Sequence, residues 1–271
     1  MQPDSPTSAP TTKAVDFHVE FPADGEHLEQ DHEWCYLRRD GHTERLRFHD
    51  YNRVFEVPGL YEHLFYERLD CASPQMVRSL LEGELRKADI DQADLSVIDV
   101  GAGNGMVGEE FRDLGSSTVV GIDLIPEAAE AADRDRPEVY DEYFVADLTE
   151  LTDRQVAALR DYEFNCLVSV AALGFGDIPP QAFAEAYNLV SDGGWIALNI
   201  KEDFLDGEDS SGFSRLIESL IETGRLEIRA QERYRHRYAA DGEELMYIAL
   251  VGVKHDEATD RLVERAEQLT D

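Results

Sequence analysis

The chain has 271 residues, with 58 acidic side chains against 25 Lys and Arg and a formal net charge of −33. That length allows one large domain or two small ones, and a hydrophobic share of 42% excludes wholesale disorder. No stretch approaches the roughly 20 apolar residues of a membrane span, and no basic stripe is present to favour nucleic acid. Cys35, Cys71 and Cys166 are odd in number and scattered, which argues against a disulfide framework or a zinc site and for a reducing cytoplasm. The acids are also scattered, as on a solvated surface suited to high salt.

Met1 to Val15 is rich in Pro, Ser and Thr, has no apolar h-region and reads as a disordered tail rather than a signal peptide. Residues 16–88 are expected to form an N-terminal cap. Within it Val15 to Phe21 alternates like a strand, and Trp34–Arg39 with His42–Phe48 reads as a hairpin about Asp40-Gly41, a pair suited to a type I′ turn. Leu60, Leu64, Phe65 and Leu69 recur at helical spacing. Ser73 is read as the N-cap, and Pro74 as the first turn, of a helix running to about Lys87.

From residue 89 to 255 strands and helices alternate. Apolar strands are expected near 95–100, 118–122, 143–146, 164–170 and 194–200, with helices near 105–114, 126–133, 152–160 and 180–190 between them. This predicts an α/β fold with a parallel sheet covered on both faces. A helix near 213–223 precedes two longer antiparallel strands, Leu226–Tyr238 and Leu245–Val253, and residues 256–271 read as a charged terminal helix.

The most informative run is Val97 to Met106. An apolar strand ends in Asp99 and is followed by Gly101, Ala102, Gly103, Asn104 and Gly105, then by a helix. Glycines let the chain turn sharply beyond the strand and let a ligand lie against bare main chain. Gly103 to Gly108 even satisfies the dinucleotide formula G-x-G-x-x-G, which is weak alone. The ends of the next two strands decide. Asp99 is placed to hold an ammonium, Asp123 two ribose hydroxyls, and Asp147 an exocyclic adenine amine. Three acids suit a ligand with ammonium, ribose and adenine, and tend to repel the pyrophosphate of NAD. Each acid also has a local role open to it, Asp99 as a loop cap, Asp123 and Asp147 as caps of the following helices.

This ordered set resembles the class I S-adenosylmethionine-dependent methyltransferases over about residues 75–254. The likeness extends through Phe164 to Ser169 and the Ser191-Asp192-Gly193-Gly194-Trp195 turn. Within the class, Val168 to Leu173 followed by Asp177-Ile178-Pro179 is loosely similar to the methyltransferase-like proteins of the Williams–Beuren-region type. The resemblance implies a Rossmann-like, seven-stranded, mostly parallel sheet with the last strand antiparallel, and S-adenosylmethionine as cofactor. It implies that Gly101–Gly105 lies against the methionine part, that Asp123 with Leu124 takes the ribose, and that Asp147 with Leu148 takes the adenine. Ser169, ending the fourth strand, is counted with these cofactor positions. Asn165 departs from the acid many members carry there.

Methyl transfer from a sulfonium needs alignment more than a base, though a hydroxyl or protonated amine acceptor gains from one. The candidates are Asp177 after strand four, Lys201 after strand five and His236 near the end of strand six. Each has a plainer reading as a helix start, a surface charge or a half-exposed strand residue. On the cap, Phe48, His49, Tyr51, Tyr61, His63, Phe65 and Tyr66 cluster, most of them read as core or interface residues, and the resemblance implies that Tyr61 or Tyr66 closes over the cofactor. His27 and His32 lack metal-ligand spacing, so no metal is expected. The expectation is a methyltransferase with a small-molecule acceptor. The rivals are a catalytically silent cofactor-binding subunit and an NAD-dependent oxidoreductase.

Overall fold

The computed structural model describes residues 17–22, 28–173, 178–202 and 212–268. The expected N-terminal tail, His27 and Asp177 lie outside the described residues. The chain opens with a small antiparallel sheet, β1 (Phe17–Glu20), β2 (Trp34–Arg39) and β3 (His42–Arg47), in the order β1-β2-β3. The β2–β3 hairpin turns through Asp40 and Gly41, with φ of 52° and 77°, the two positive values a type I′ turn requires.

Three helical segments follow. α1 (Tyr51–Glu56) was not expected from spacing, because its apolar pair Val54 and Phe55 is too short to show a period. α2 (Leu60–Glu62) continues into a π-helical stretch, His63–Arg68, closed by Leu69 N–H donating to the Leu64 carbonyl. α3 runs from Ser73 to Lys87. Its N-cap is Ala72 rather than the expected Ser73, whose hydroxyl points away from the helix end to Tyr234 and His236, at 2.7 and 2.6 Å.

The main body alternates as expected: β4 (Ser96–Val100), α4 (Met106–Leu114), β5 (Thr118–Asp123), α5 (Pro126–Asp135), β6 (Glu142–Val145), α6 (Asp153–Arg160), β7 (Cys166–Ser169), α7 (Pro180–Leu189) and β8 (Trp195–Lys201). It closes with α8 (Phe213–Glu222), β9 (Leu226–Tyr238), β10 (Glu244–Lys254) and α9 (Asp260–Glu267). The seven strands lie in the order β6-β5-β4-β7-β8-β10-β9, and only β10 runs antiparallel to its neighbours. This is the mostly parallel, Rossmann-like sheet expected. Asn165 joins its strand to β4 as a structural residue, accepting from Ser96 N–H at 2.9 Å and donating to the Asp94 carbonyl at 2.7 Å.

Successive strand residues face opposite ways. Ile98 and Val100 pack toward α6–α9, whereas Val97 packs toward α3 and α4, so both faces are dry. The cap has its own cluster, centred on Leu37, Phe48, Leu60 and Leu64, and α1 packs Phe55 on Ala128 and Ala131 of α5. A buried ion pair, Glu33 with Arg237, also ties cap to body, and Glu33 accepts from Ala240 N–H at 2.6 Å as well. Each ion has a further partner that offsets its desolvation, the Ala240 N–H for Glu33 and the Tyr238 carbonyl for Arg237. Among the described residues no helix is long and apolar enough to cross a membrane.

Candidate active site

Beyond β4 the chain turns through glycines that keep the backbone bare. Gly101 has φ of 74°, and a Cβ there would sit 2.5 Å from the Ala172 Cβ. Gly103 has φ of 52° and lies under the Phe55 ring of the cap. A cleft of about 490 Å³ opens between these glycines, the carboxyl ends of β5 and β6, and the cap. That is the size of a small-molecule site, in the position where open α/β sheets bind ligands.

Asp123 and Asp147 line the cleft, with Leu124 and Leu148 beside them. Asp123 holds the glycine loop in place: Oδ2 accepts from Gly103 N–H at 2.9 Å and Oδ1 from Ile125 N–H at 3.0 Å. Burial pushes its carboxyl above the usual range, and these backbone donors pull against that shift. Asp147 is exposed and caps its own turn, Oδ1 accepting from the Thr149 amide at 2.8 Å and hydroxyl at 2.7 Å, which holds its carboxyl low. Its Oδ2 makes no hydrogen bond among the described residues. The capping role and a place on the cleft wall are thus both realised in Asp147.

Asp99 sits differently from its expected place beside a ligand. It is fully buried, does not line the cleft, and its Oδ2 accepts from the Tyr140 hydroxyl at 2.7 Å. Burial, helped by the Asp123 charge and opposed by the Tyr140 hydrogen bond, pushes its carboxyl up to about 7. Asn104 is also turned from the cleft, donating to Glu62 Oε1 of the cap at 2.8 Å, and Arg136 donates to the same oxygen at 2.6 Å. Ala102 and Gly105 are packed in the turn, and Ser169 donates to the Val100 carbonyl at 2.9 Å, so these three shape the loop rather than line the cleft. Three buried oxygens around this loop, Asp99 Oδ1, Asn104 Oδ1 and Glu62 Oε2, have no hydrogen-bond partner. A buried acceptor without a donor costs about 1–3 kcal/mol.

Behind the cleft, His236 is buried in a recess of about 30 Å³ that shares His49, Tyr51, Tyr61, Ala171 and Ala172 with it. The surrounding hydrogen bonds fix its proton. Ala171, strained at φ of 56°, donates its N–H to Asn199 Oδ1 at 2.7 Å, which turns the Asn199 amide NH₂ toward Tyr234 (2.8 Å) and Ser73 (3.1 Å). The Tyr234 hydroxyl then donates to Ser73 Oγ, and the Ser73 hydroxyl to His236 Nδ1. With Nδ1 accepting, the neutral ring carries its proton on Nε2. Burial and the neighbouring Arg237 hold it neutral, well below its ordinary pKa. His236 therefore presents a donor, not the base expected for it. Lys201 ends β8 and lines neither cleft nor recess. Tyr61 lines both, whereas Tyr66 lines neither. Among the described residues no cluster of three or more His, Cys, Asp or Glu is able to hold a metal.

Sequence reasoning did not single out Phe55, Glu62, Tyr140 or Gln30. Tyr140 lies 41 residues from Asp99, and Glu62 lies 42 from Asn104, so no local spacing announces either pair. The one available signal was that a buried strand-end acid requires a donor from somewhere.

Residues 98–198 match the family model described as a methyltransferase domain. No curated protein matches the chain. Similar solved structures include the Thermoplasma acidophilum protein 1320, at 18% identity and TM-score 0.47, covering 67% of this chain and 86% of that one. The N-methyltransferase NodS from Bradyrhizobium japonicum, in complex with S-adenosylhomocysteine, is similar at 13% identity and TM-score 0.46, with 67% and 87% covered. A ribosomal protein L11 methylase from Lactobacillus delbrueckii is similar at 16% identity and TM-score 0.45, with 68% and 79% covered. The matched segment is thus similar to a methyltransferase domain, as the sequence led us to expect.

The Asp99 carboxyl sets a pH dependence. Its folded value of about 7 lies above the ordinary 3.8, so ionising it opposes folding. Its contribution is complete below pH 3.8 and is lost as pH rises toward 7. Asp99→Asn, which keeps an acceptor for Tyr140, should therefore gain in melting temperature relative to wild type as pH rises from about 4 to 8. A difference independent of pH contradicts this placement of the charge.

Proposed function

We propose that the chain is an S-adenosylmethionine-dependent methyltransferase that acts on a small-molecule acceptor held between cap and sheet. The observation that carries this reading is the chemistry of the cleft wall. It offers carboxylates and bare glycine backbone, and no Lys or Arg among its described lining residues. A pyrophosphate placed there faces Asp123 and Asp147 with no cation to offset them. A nucleoside joined to an amino acid instead brings hydroxyls, an amine and an ammonium, all donors, to a wall of acceptors.

On this reading Asp123 accepts from the ribose hydroxyls beside Leu124, and Asp147 and Leu148 take the adenine. The methionine part lies against Gly101 and Gly103, the glycines that line the cleft. The cofactor supplies an electrophilic methyl group on a sulfonium. The chain's own residues align and shield it. Gly101 and Gly103 allow close approach, while Phe55, Tyr51 and Tyr61 of the cap cover the cleft and exclude water. Because the carbon is already activated, orientation supplies much of the catalysis and no base is obligatory. A small acceptor is able to reach the narrow recess behind the cleft, and the net charge of −33 repels a nucleic acid.

A reducing, high-salt cytoplasm is the setting we propose, since Cys35, Cys71 and Cys166 are all free thiols and screening relieves the acid excess.

Calorimetric titration tests the reading. S-adenosylhomocysteine should bind and NADH should not. Asp123→Ala should weaken S-adenosylhomocysteine about 10–100-fold, the range for losing hydrogen bonds to a charged group. Binding of NADH alone, or an unchanged affinity in Asp123→Ala, contradicts it. Thermal melts in rising KCl should show a rising melting temperature, and a fall removes the high-salt proposal.

A further inference from the structure

The recess behind the cleft holds more polar chemistry than its place in an aromatic cap requires. Gln30 is more than nine-tenths buried there, its Nε2 donating to the Tyr247 hydroxyl at 2.9 Å. Its Oε1 is buried and has no partner. The Tyr247 proton has no acceptor among the described residues. Against the Tyr247 ring, 4.2 Å between centroids, the proton chain described above leaves His236 with an N–H at Nε2, and Nε2 makes no hydrogen bond among the described residues. Arg237 adds no free charge, because Glu33 is buried against it.

From this set of groups we infer that the recess is an acceptor-anchoring subsite for one uncharged hydroxyl on an apolar, ring-shaped molecule. The inference rests on the methyltransferase reading for its place in the reaction, but not for the binding itself. A hydroxyl donates to Gln30 Oε1 and accepts from His236 Nε2–H or the Tyr247 hydroxyl, so each open group gains its complement. A carboxylate offers only acceptors and leaves Gln30 Oε1 facing an anion. An ammonium offers only donors and faces the His236 N–H. Neither finds a free counter-charge, and desolvating an unpaired ion is expensive. The space of about 30 Å³ admits an oxygen atom and little more, so the ring it belongs to lies against Tyr51 and Tyr61, the walls shared with the cleft. Because Nδ1 is occupied by Ser73, His236 positions the acceptor rather than removing its proton.

The test uses the full chain and four probes of similar size: phenol, toluene, benzoate and benzylammonium, titrated by ligand-observed NMR with and without saturating S-adenosylhomocysteine. Phenol should bind at least about fivefold more tightly than each of the others, the worth of one net hydrogen bond. Gln30→Leu and Tyr247→Phe should each remove that preference while leaving toluene and S-adenosylhomocysteine binding as in wild type. Tighter binding of benzoate or benzylammonium than of phenol overturns the proposal. So does a phenol preference that survives both variants. Failure of S-adenosylhomocysteine to bind wild type strikes the methyltransferase reading instead, and the phenol contrast without cofactor still decides the subsite.

Discussion

The active end of this molecule depends on one carboxylate shared by two strands. Asp123, the last residue of β5, accepts the Gly103 N–H and so fastens the loop that follows β4. It works with the Gly101 and Ala102 N–H groups, which donate to the Ile122 carbonyl, and the Tyr143 hydroxyl, which donates to the Gly103 carbonyl, to hold glycines free to sample both signs of φ. With it, the loop lies open beneath Phe55, and a single side chain both builds the cleft and faces into it. Structure and ligand recognition are therefore not separable at this position.

A chain with so large an excess of acid has to choose where it keeps its cations. Lys254 is buried within the body, on the Val190 carbonyl, whereas two arginines serve the seam between cap and body. Arg237 meets Glu33, and Arg136 gathers Glu62, Glu109 and the Asn104 carbonyl around the glycine loop. The cap is thereby joined to the body by directed, desolvated bonds as well as by the α1–α5 contact. Burying charge is not a cheap way to gain stability, but it fixes register. The register here brings Glu62 to Asn104 and Tyr61 over the cleft, so the cap takes part in the site and is more than a cover.

The sheet was legible in the sequence because its signals are local. Runs such as Val97 to Val100 and Thr118 to Asp123 are continuous and apolar, and the acids at their ends interrupt them visibly. The cleft residues Gly101, Gly103, Asp123 and Asp147 followed from that pattern. What stayed hidden was contact between distant segments. Asp99 reads as a ligand-facing acid until Tyr140 is seen to cover it. Ser73 has the sequence of a helix cap, yet the buried polar chain through Tyr234 and Asn199 outbids the helix end for its hydroxyl. His236 reads as a base until the direction of that chain shows its proton on the other nitrogen. Each case turns on a tertiary hydrogen bond, which one-dimensional spacing does not record.

A crystal structure of the chain with S-adenosylhomocysteine bound is the most direct measurement of the central claim. The account predicts both ribose hydroxyls on the Asp123 carboxylate, the adenine against Leu124 and Leu148, and the methionine part against Gly101 and Gly103. A nucleoside seated elsewhere, or a methionine part away from those glycines, contradicts it.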